Sequence, residues 1–201
     1  MTAFIRPYRP ADEPELRDIC VSTVHLGGDG RPHYRDPGML PEIFAVPYVV
    51  LDPDLAFVVD DGGRAVGYIV GTADTARFVR RFRQEWLPRV SGRYPRLPGE
   101  PRDGDEMMRE LLHTPERMVL PELADHPAHL HIDLLPGHQR AGHGRRLIDT
   151  LVAALKAKGV SGLHLAMVTE NTAARAFYDR VGFGVIDVPD PGNLTYLGMR
   201  W

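Results

Sequence analysis

Residues 128–159 read AHLHIDLLPGHQRAGHGRRLIDTLVAALKAKG, and a change of period inside this stretch decides the fold. From Ala128 to Leu135 polar and apolar side chains alternate, which is the period of a strand, and His129, His131 and Asp133 fall on one face of it. Pro136–Gly144 is a loop carrying Gly137, Gly142 and Gly144. From Arg145 to Lys158 the period lengthens: Leu147, Ile148, Leu151, Val152 and Leu155 recur at helical spacing, and Gly159 stands where a helix ends. Strand, glycine loop and helix therefore follow one another directly.

Working outward, Leu163–Val168 reads as the next strand. Thr172–Val181 is a helix closed by Gly182, and Phe183–Val188 with Leu194–Trp201 form a closing strand pair. Upstream, residues 3–8 read as a short strand and 13–25 as a helix begun by Pro10 and Asp12. His25–Met39 is a Gly-, Pro- and Asp-rich loop, with helix expected near 39–46. Leu55–Val59 and Ala65–Thr72 flank Asp60-Asp61-Gly62-Gly63, a strong hairpin signal. Residues 75–90 form an arginine-laced helix. Arg77, Arg80, Arg81 and Arg83 are read as its solvated face. Residues 91–127 are irregular and Pro-rich, with a helical patch near 105–113. This alternation predicts an α/β fold with helices flanking a mixed sheet. It predicts one domain over 1–201, with 91–127 as an irregular insertion.

With 201 residues, 43% hydrophobic and 25% charged, the chain can bury a sizeable core. A net charge of −3 argues against nucleic acid as a main partner. The one cysteine, Cys20, lies within an apolar helical pattern and reads as buried packing. The polar start and the lack of a long apolar run predict no signal peptide and no membrane helix, hence the cytoplasm.

The loop's chemistry follows from its place. A helix front offers unpaired N–H groups and about half a positive charge, a natural anion site. Gly142 and Gly144 let backbone approach a diphosphate, and Gln139 and Arg140 can support it. Alone, such a loop turns up by chance in about one of ten chains this long. A second element follows the next strand: Asn171-x-x-Ala174-x-x-x-Tyr178-x-x-x-Gly182-Phe183.

Together, Pro136-x-x-Gln139-x-x-Gly142-x-Gly144 and the Asn171–Phe183 pattern resemble the GNAT family of acetyltransferases, as does the opening Ile5-Arg6-Pro7-Tyr8-Arg9-x-x-Asp12. The resemblance implies a GNAT-like splayed sheet with acetyl-CoA in its gap. It implies that Leu134 and Leu135 offer backbone groups to the pantetheine arm and acetyl carbonyl. Amides of Arg140, Ala141, Gly142, His143, Gly144 and Arg145, with Gln139, would hold the diphosphate. Asn171 would touch the pantetheine, and Tyr178 would lie near the sulfur. Asn171 is equally well placed as a helix N-cap, and Tyr178 as a core aromatic.

For acetyl transfer to an amine, Tyr178 is the expected general acid and Asp133 the first choice of base, with His131 second. The His129-x-His131-x-Asp133 spacing can also present three metal ligands. The His-x-His-x-Asp-His signature of metallo-β-lactamase-like hydrolases, however, would need His where Leu134 stands, so no metal is expected. Tyr34-Arg35-Asp36-Pro37, Pro47-Tyr48, Asp52–Val58 and Glu85-Trp86-Leu87-Pro88 are similar to bacterial GNAT proteins related to the C-terminal acetyltransferase-like domain of O-GlcNAcase. That domain has lost much of its cofactor loop, whereas Gln139, Gly142 and Gly144 remain here. The expectations are thus transfer from acetyl-CoA to an unidentified amine, or acetyl-CoA binding without significant turnover. The loop His25–Gly38 and residues 91–127 are expected to border the acceptor site.

Overall fold

The sheet grows from the hairpin β2 (Ala56–Asp61) and β3 (Arg64–Thr72). In the computed structural model, which describes residues 3–201, Gly62 and Gly63 make that turn at φ 64° and 91°. Those angles lie in the left-handed region, where glycine alone is unstrained. β1 (Phe4–Pro7) pairs antiparallel with β2, and β4 (Ala128–Leu134) with β3. β5 (Gly162–Val168) runs parallel to β4; β7 (Leu194–Arg200) and β6 (Gly184–Ile186) complete the order β1-β2-β3-β4-β5-β7-β6.

Each face of the sheet carries its own core. On one, α1 (Glu13–Thr23), α2 (Pro41–Phe44), α3 (Val46–Leu51) and α4 (Thr75–Arg81) bury Leu16, Ile19, Tyr48, Tyr68 and Phe78. Cys20 lies in this core, where burial raises its thiol pKa. The single helix expected near 39–46 is two short ones, because the chain leaves helical geometry at Ala45 (φ −135°) and Pro47 follows with no N–H to give.

The arginine-laced helix continues from α4 through a wider π-type turn, Phe82–Trp86, into α5 (Leu87–Val90). Two of its four arginines are anchors, which corrects the reading of a wholly solvated face. Arg81 donates to the Leu51 carbonyl. Arg83 bonds Glu116 at 2.8 Å and the His113 carbonyl at 2.9 Å, tying the helix to residues 91–127. That segment forms α6 (Gly104–His113) and places Tyr94 and Leu112 in the first core. Asp105 of α6 accepts the Arg35 amide at 2.9 Å, so the loop after α1 and this segment are held together.

On the other face α7 (His143–Ala157) and α8 (Thr172–Val181) bury Leu147, Ile148, Leu151 and Tyr178. A buried triad locks the N-terminal edge. Arg6 bonds Asp60 at 2.7 Å and Asp12 through two nitrogens at 2.6 and 2.7 Å. No helix among the described residues is long and apolar enough to cross a membrane.

Candidate active site

The site begins where two strands part. β4 and β5 pair only at Ala128↔Leu163 and His129↔His164, although each strand has seven residues. Beyond that point β4 keeps its ladder with β3 as far as Gly67↔Leu134 and has no strand partner on its other edge among the described residues. Strand geometry sets which backbone groups face the opening. The Leu135 amide donates to Val66 at 3.0 Å. Antiparallel pairs alternate, so the Leu134 and Ile132 groups point into the gap. The Leu135 amide is spent on Val66 and its carbonyl accepts from His138 at 2.8 Å, so Leu134 presents the free amide. The Leu134 carbonyl accepts the Gln139 side-chain amide at 2.9 Å.

The mouth of the gap is the Pro136–Gly144 loop. Arg140 and Gly142 are both left-handed, at φ 62° and 82°. Such alternation can turn successive N–H groups toward one side, as in anion-binding concavities. α7 starts at His143, two residues earlier than its apolar pattern suggests, and no side chain caps it. Its first amides are therefore free for an anion. A Cβ on Gly142 would meet nothing within 4 Å, whereas one on Gly144 would lie 3.0 Å from the Phe177 ring. Gly142 thus faces open space, and Gly144 lets α7 close on α8. The residues present fit a diphosphate. Ala141 and Arg145 flank this front; the Arg145 guanidinium bonds the Arg180 carbonyl at 2.5 Å. Asn171 caps α8, accepting the Ala174 amide at 3.0 Å, which leaves its NH₂ for any ligand.

Tyr178, on α8, is buried beside Phe177 and Phe183. Burial, then the charge of Asp133, raises its phenol pKa, so the group stays protonated at neutral pH and able to donate. Asp133 is half-buried on β4. Its Oδ2 accepts the Tyr68 hydroxyl at 2.5 Å. Thr23 gives its own hydroxyl hydrogen to the Ile19 carbonyl at 2.7 Å. Burial outweighs the Tyr68 bond and pushes the carboxyl pKa up to about 6.

His131 and His129 share that face. Burial, with the nearby Arg117 cation, brings the His131 pKa down to about 4, and burial with the neighbouring His164 and His131 holds His129 well below the usual imidazole range. Both rings bond to Tyr48 of α3, and His129 also to Thr75, so the spacing that suggested metal ligands serves a hydrogen-bond chain. The roles of Tyr48 and Tyr68 were not legible in the sequence because each reaches β4 from a distant element. The pairing of Tyr68 with Asp133 follows only once the β3–β4 register is known. His33 stacks on His25, Asp36 accepts the Gly38 amide, and Tyr34 packs on the first core, so none of these three is shown at the gap.

A half-open parallel pair with an uncapped helix front at its mouth fits the acyl-CoA-dependent transferase class. The Acetyltransferase (GNAT) family model matches residues 103–183. A crystal structure described as SsHAT superposes with a TM-score of 0.96 at 57% identity, covering 100% of this chain and 98% of that one. The chain belongs to the GNAT family of acetyltransferases. It is 26% identical over 180 residues to Protein O-GlcNAcase of Rattus norvegicus, a match covering 89% of this chain and 20% of that protein. The chain thus spans about a fifth of the length of those O-GlcNAcases. PaiA N-acetyltransferase from Thermoplasma acidophilum, in complex with coenzyme A, has a TM-score of 0.59 at 15% identity, covers both chains fully and shares the fold.

Proposed function

We propose that this chain transfers an acetyl group from acetyl-CoA to an amine by direct attack of the amine on the thioester. The observation that carries the reading is the β4–β5 gap with the Leu134 amide facing it and the uncapped front of α7 at its mouth. In this reading the amides from Arg140 to Arg145 hold the diphosphate. Leu134 and the Asn171 NH₂ meet the pantetheine arm, and the Leu134 amide steadies the oxygen that turns negative in the tetrahedral intermediate.

Magnitudes assign the proton work. An alkylamine with a pKa of ~10.4 pays about 4–5 kcal/mol to lose its proton at pH 7. With a pKa near 6, Asp133 is about nine-tenths ionised at pH 7 and is the strongest base on this face. Tyr178, protonated and buried, gives its proton to the leaving thiolate.

Relatives suggest what to test as acceptor. A 57-residue segment is 40% identical to [Ribosomal protein bS18]-alanine N-acetyltransferase of Haemophilus influenzae, although that match covers 28% of this chain. Thiol release from acetyl-CoA should be followed with a peptide bearing N-terminal alanine, agmatine and a lysine peptide, for wild type, Asp133→Asn and Tyr178→Phe. Turnover with at least one amine, lowered about 10²-fold or more in both variants, is expected. Tight acetyl-CoA binding without turnover of any amine would instead favour the second reading, a cofactor-binding pseudoenzyme. The similarity to the O-GlcNAcase region supports that alternative.

A further inference from the structure

The hydrogen bonds on the Asp133 face run in one direction only. Thr75 Oγ1 donates to the Pro127 carbonyl at 2.8 Å, which uses its single hydrogen. At 2.8 Å from His129 Nδ1 it can then only accept, so His129 carries its proton on Nδ1. His129 is buried and neutral, so its Nε2 is an acceptor and takes the Tyr48 hydroxyl at 2.7 Å. The Tyr48 oxygen, its hydrogen given away, must accept from His131 Nε2 at 3.1 Å. His131 is therefore the Nε2–H tautomer, and its lone pair sits on Nδ1. That nitrogen has no protein partner among the described residues and is not sealed from solvent.

Asp133 lies two residues along on the same strand face, and such Cα atoms are roughly 6.6 Å apart. One nitrogen about 3 Å from each can touch both groups. We propose, resting on the acetyl-transfer reading above, that His131 Nδ1 is a fixed acceptor that binds the incoming ammonium through an N–H. The acceptor then hands its proton to Asp133. His131 is the weaker base and serves recognition. Tyr48 and His129 are positioning residues that set its tautomer. The acceptor class follows: an amine whose ammonium form carries at least two N–H bonds, primary or secondary, so that one stays on His131 while another goes to Asp133. A tertiary amine offers none to spare.

The test reads the tautomer directly. Nitrogen-15 NMR of the histidine-labelled full chain at neutral pH, assigned with His131→Gln and His129→Gln, is expected to show neutral His131 protonated on Nε2 and neutral His129 on Nδ1. In Tyr48→Phe the His131 signal should become a mixture of tautomers. Should that variant not fold, Thr75→Val cuts the chain at its far anchor and should mix the His129 tautomers. A wild-type His131 protonated on Nδ1, or a His131 pattern unmoved by Tyr48→Phe, overturns the chain. With whichever amine of the panel turns over, Tyr48→Phe should raise KM about tenfold and change kcat less than twofold. A fall in kcat at unchanged KM overturns the recognition role. If no amine turns over, the transfer reading fails and the recognition role falls with it, while the tautomers remain readable.

Discussion

The Tyr68 hydroxyl donates to the Asp133 carboxylate at 2.5 Å across the β3–β4 ladder, yet this bond does not hold the carboxyl in its ordinary range. Burial costs the ion more than one hydrogen bond returns, so Asp133 titrates near pH 6. The kcat/KM profile should therefore rise through pH 6 and level off above it. Asp133→Asn keeps an acceptor for Tyr68 and should lower kcat/KM by about 10²–10⁴-fold, the usual worth of a general base. Steady-state thiol release between pH 5 and 8 checks both.

The same shift has a cost in stability. The folded pKa is raised above the unfolded value, so stability is full below about pH 4 and is lost as pH rises through 6. Asp133→Asn removes a penalty of order 1–3 kcal/mol at pH 8 and none at pH 3.5. Thermal unfolding at the two pH values should show a higher midpoint for the variant only at pH 8.

Tyr178 is set apart by its surroundings. Its ring packs on Phe177 and Phe183, so Tyr178→Phe keeps the packing and deletes only the hydroxyl. Acetyl-CoA affinity should change by less than about threefold while kcat falls by roughly 10²-fold, as for loss of a general acid. Calorimetry beside initial rates separates the two.

Arg6 pairs with two carboxylates, Asp12 and Asp60, in a nearly dry site. Replacing it by Met strands both charges and should cost about 3–5 kcal/mol by urea unfolding at pH 7. The Arg6 bonds hold both carboxyls below their ordinary range, so their contribution is present above about pH 4 and fades as pH falls further. The wild-type advantage over Arg6→Met should shrink accordingly between pH 5 and 3.

Much of this was legible in the sequence where a signal was local. Alternation placed His129, His131 and Asp133 on one face, and the glycines at 62–63, 142 and 182 took left-handed backbone. What depended on a partner far along the chain was not legible. The parting of β4 from β5 was expected only from the family resemblance, because it depends on how the strands pair and not on an alternation that both would show anyway. Which of Leu134 and Leu135 faces the gap depends on the ladder to Val66. The direction of the His129–Tyr48–His131 chain is set at Thr75, 54 residues upstream of His129. Arg81 and Arg83 look like surface cations until the elements they anchor are seen.

The central claim is that the loop and the front of α7 grip a diphosphate, and calorimetric titration with acetyl-CoA tests it most directly. Gly142 faces open space, so a side chain there meets no atom within 4 Å, although φ 82° strains it modestly. Wild type should bind with a micromolar Kd, and Gly142→Glu, which sets a negative charge among the phosphate-holding amides, should weaken binding at least 30-fold while circular dichroism stays native. No measurable wild-type binding, or equal affinity in the folded variant, would contradict the account.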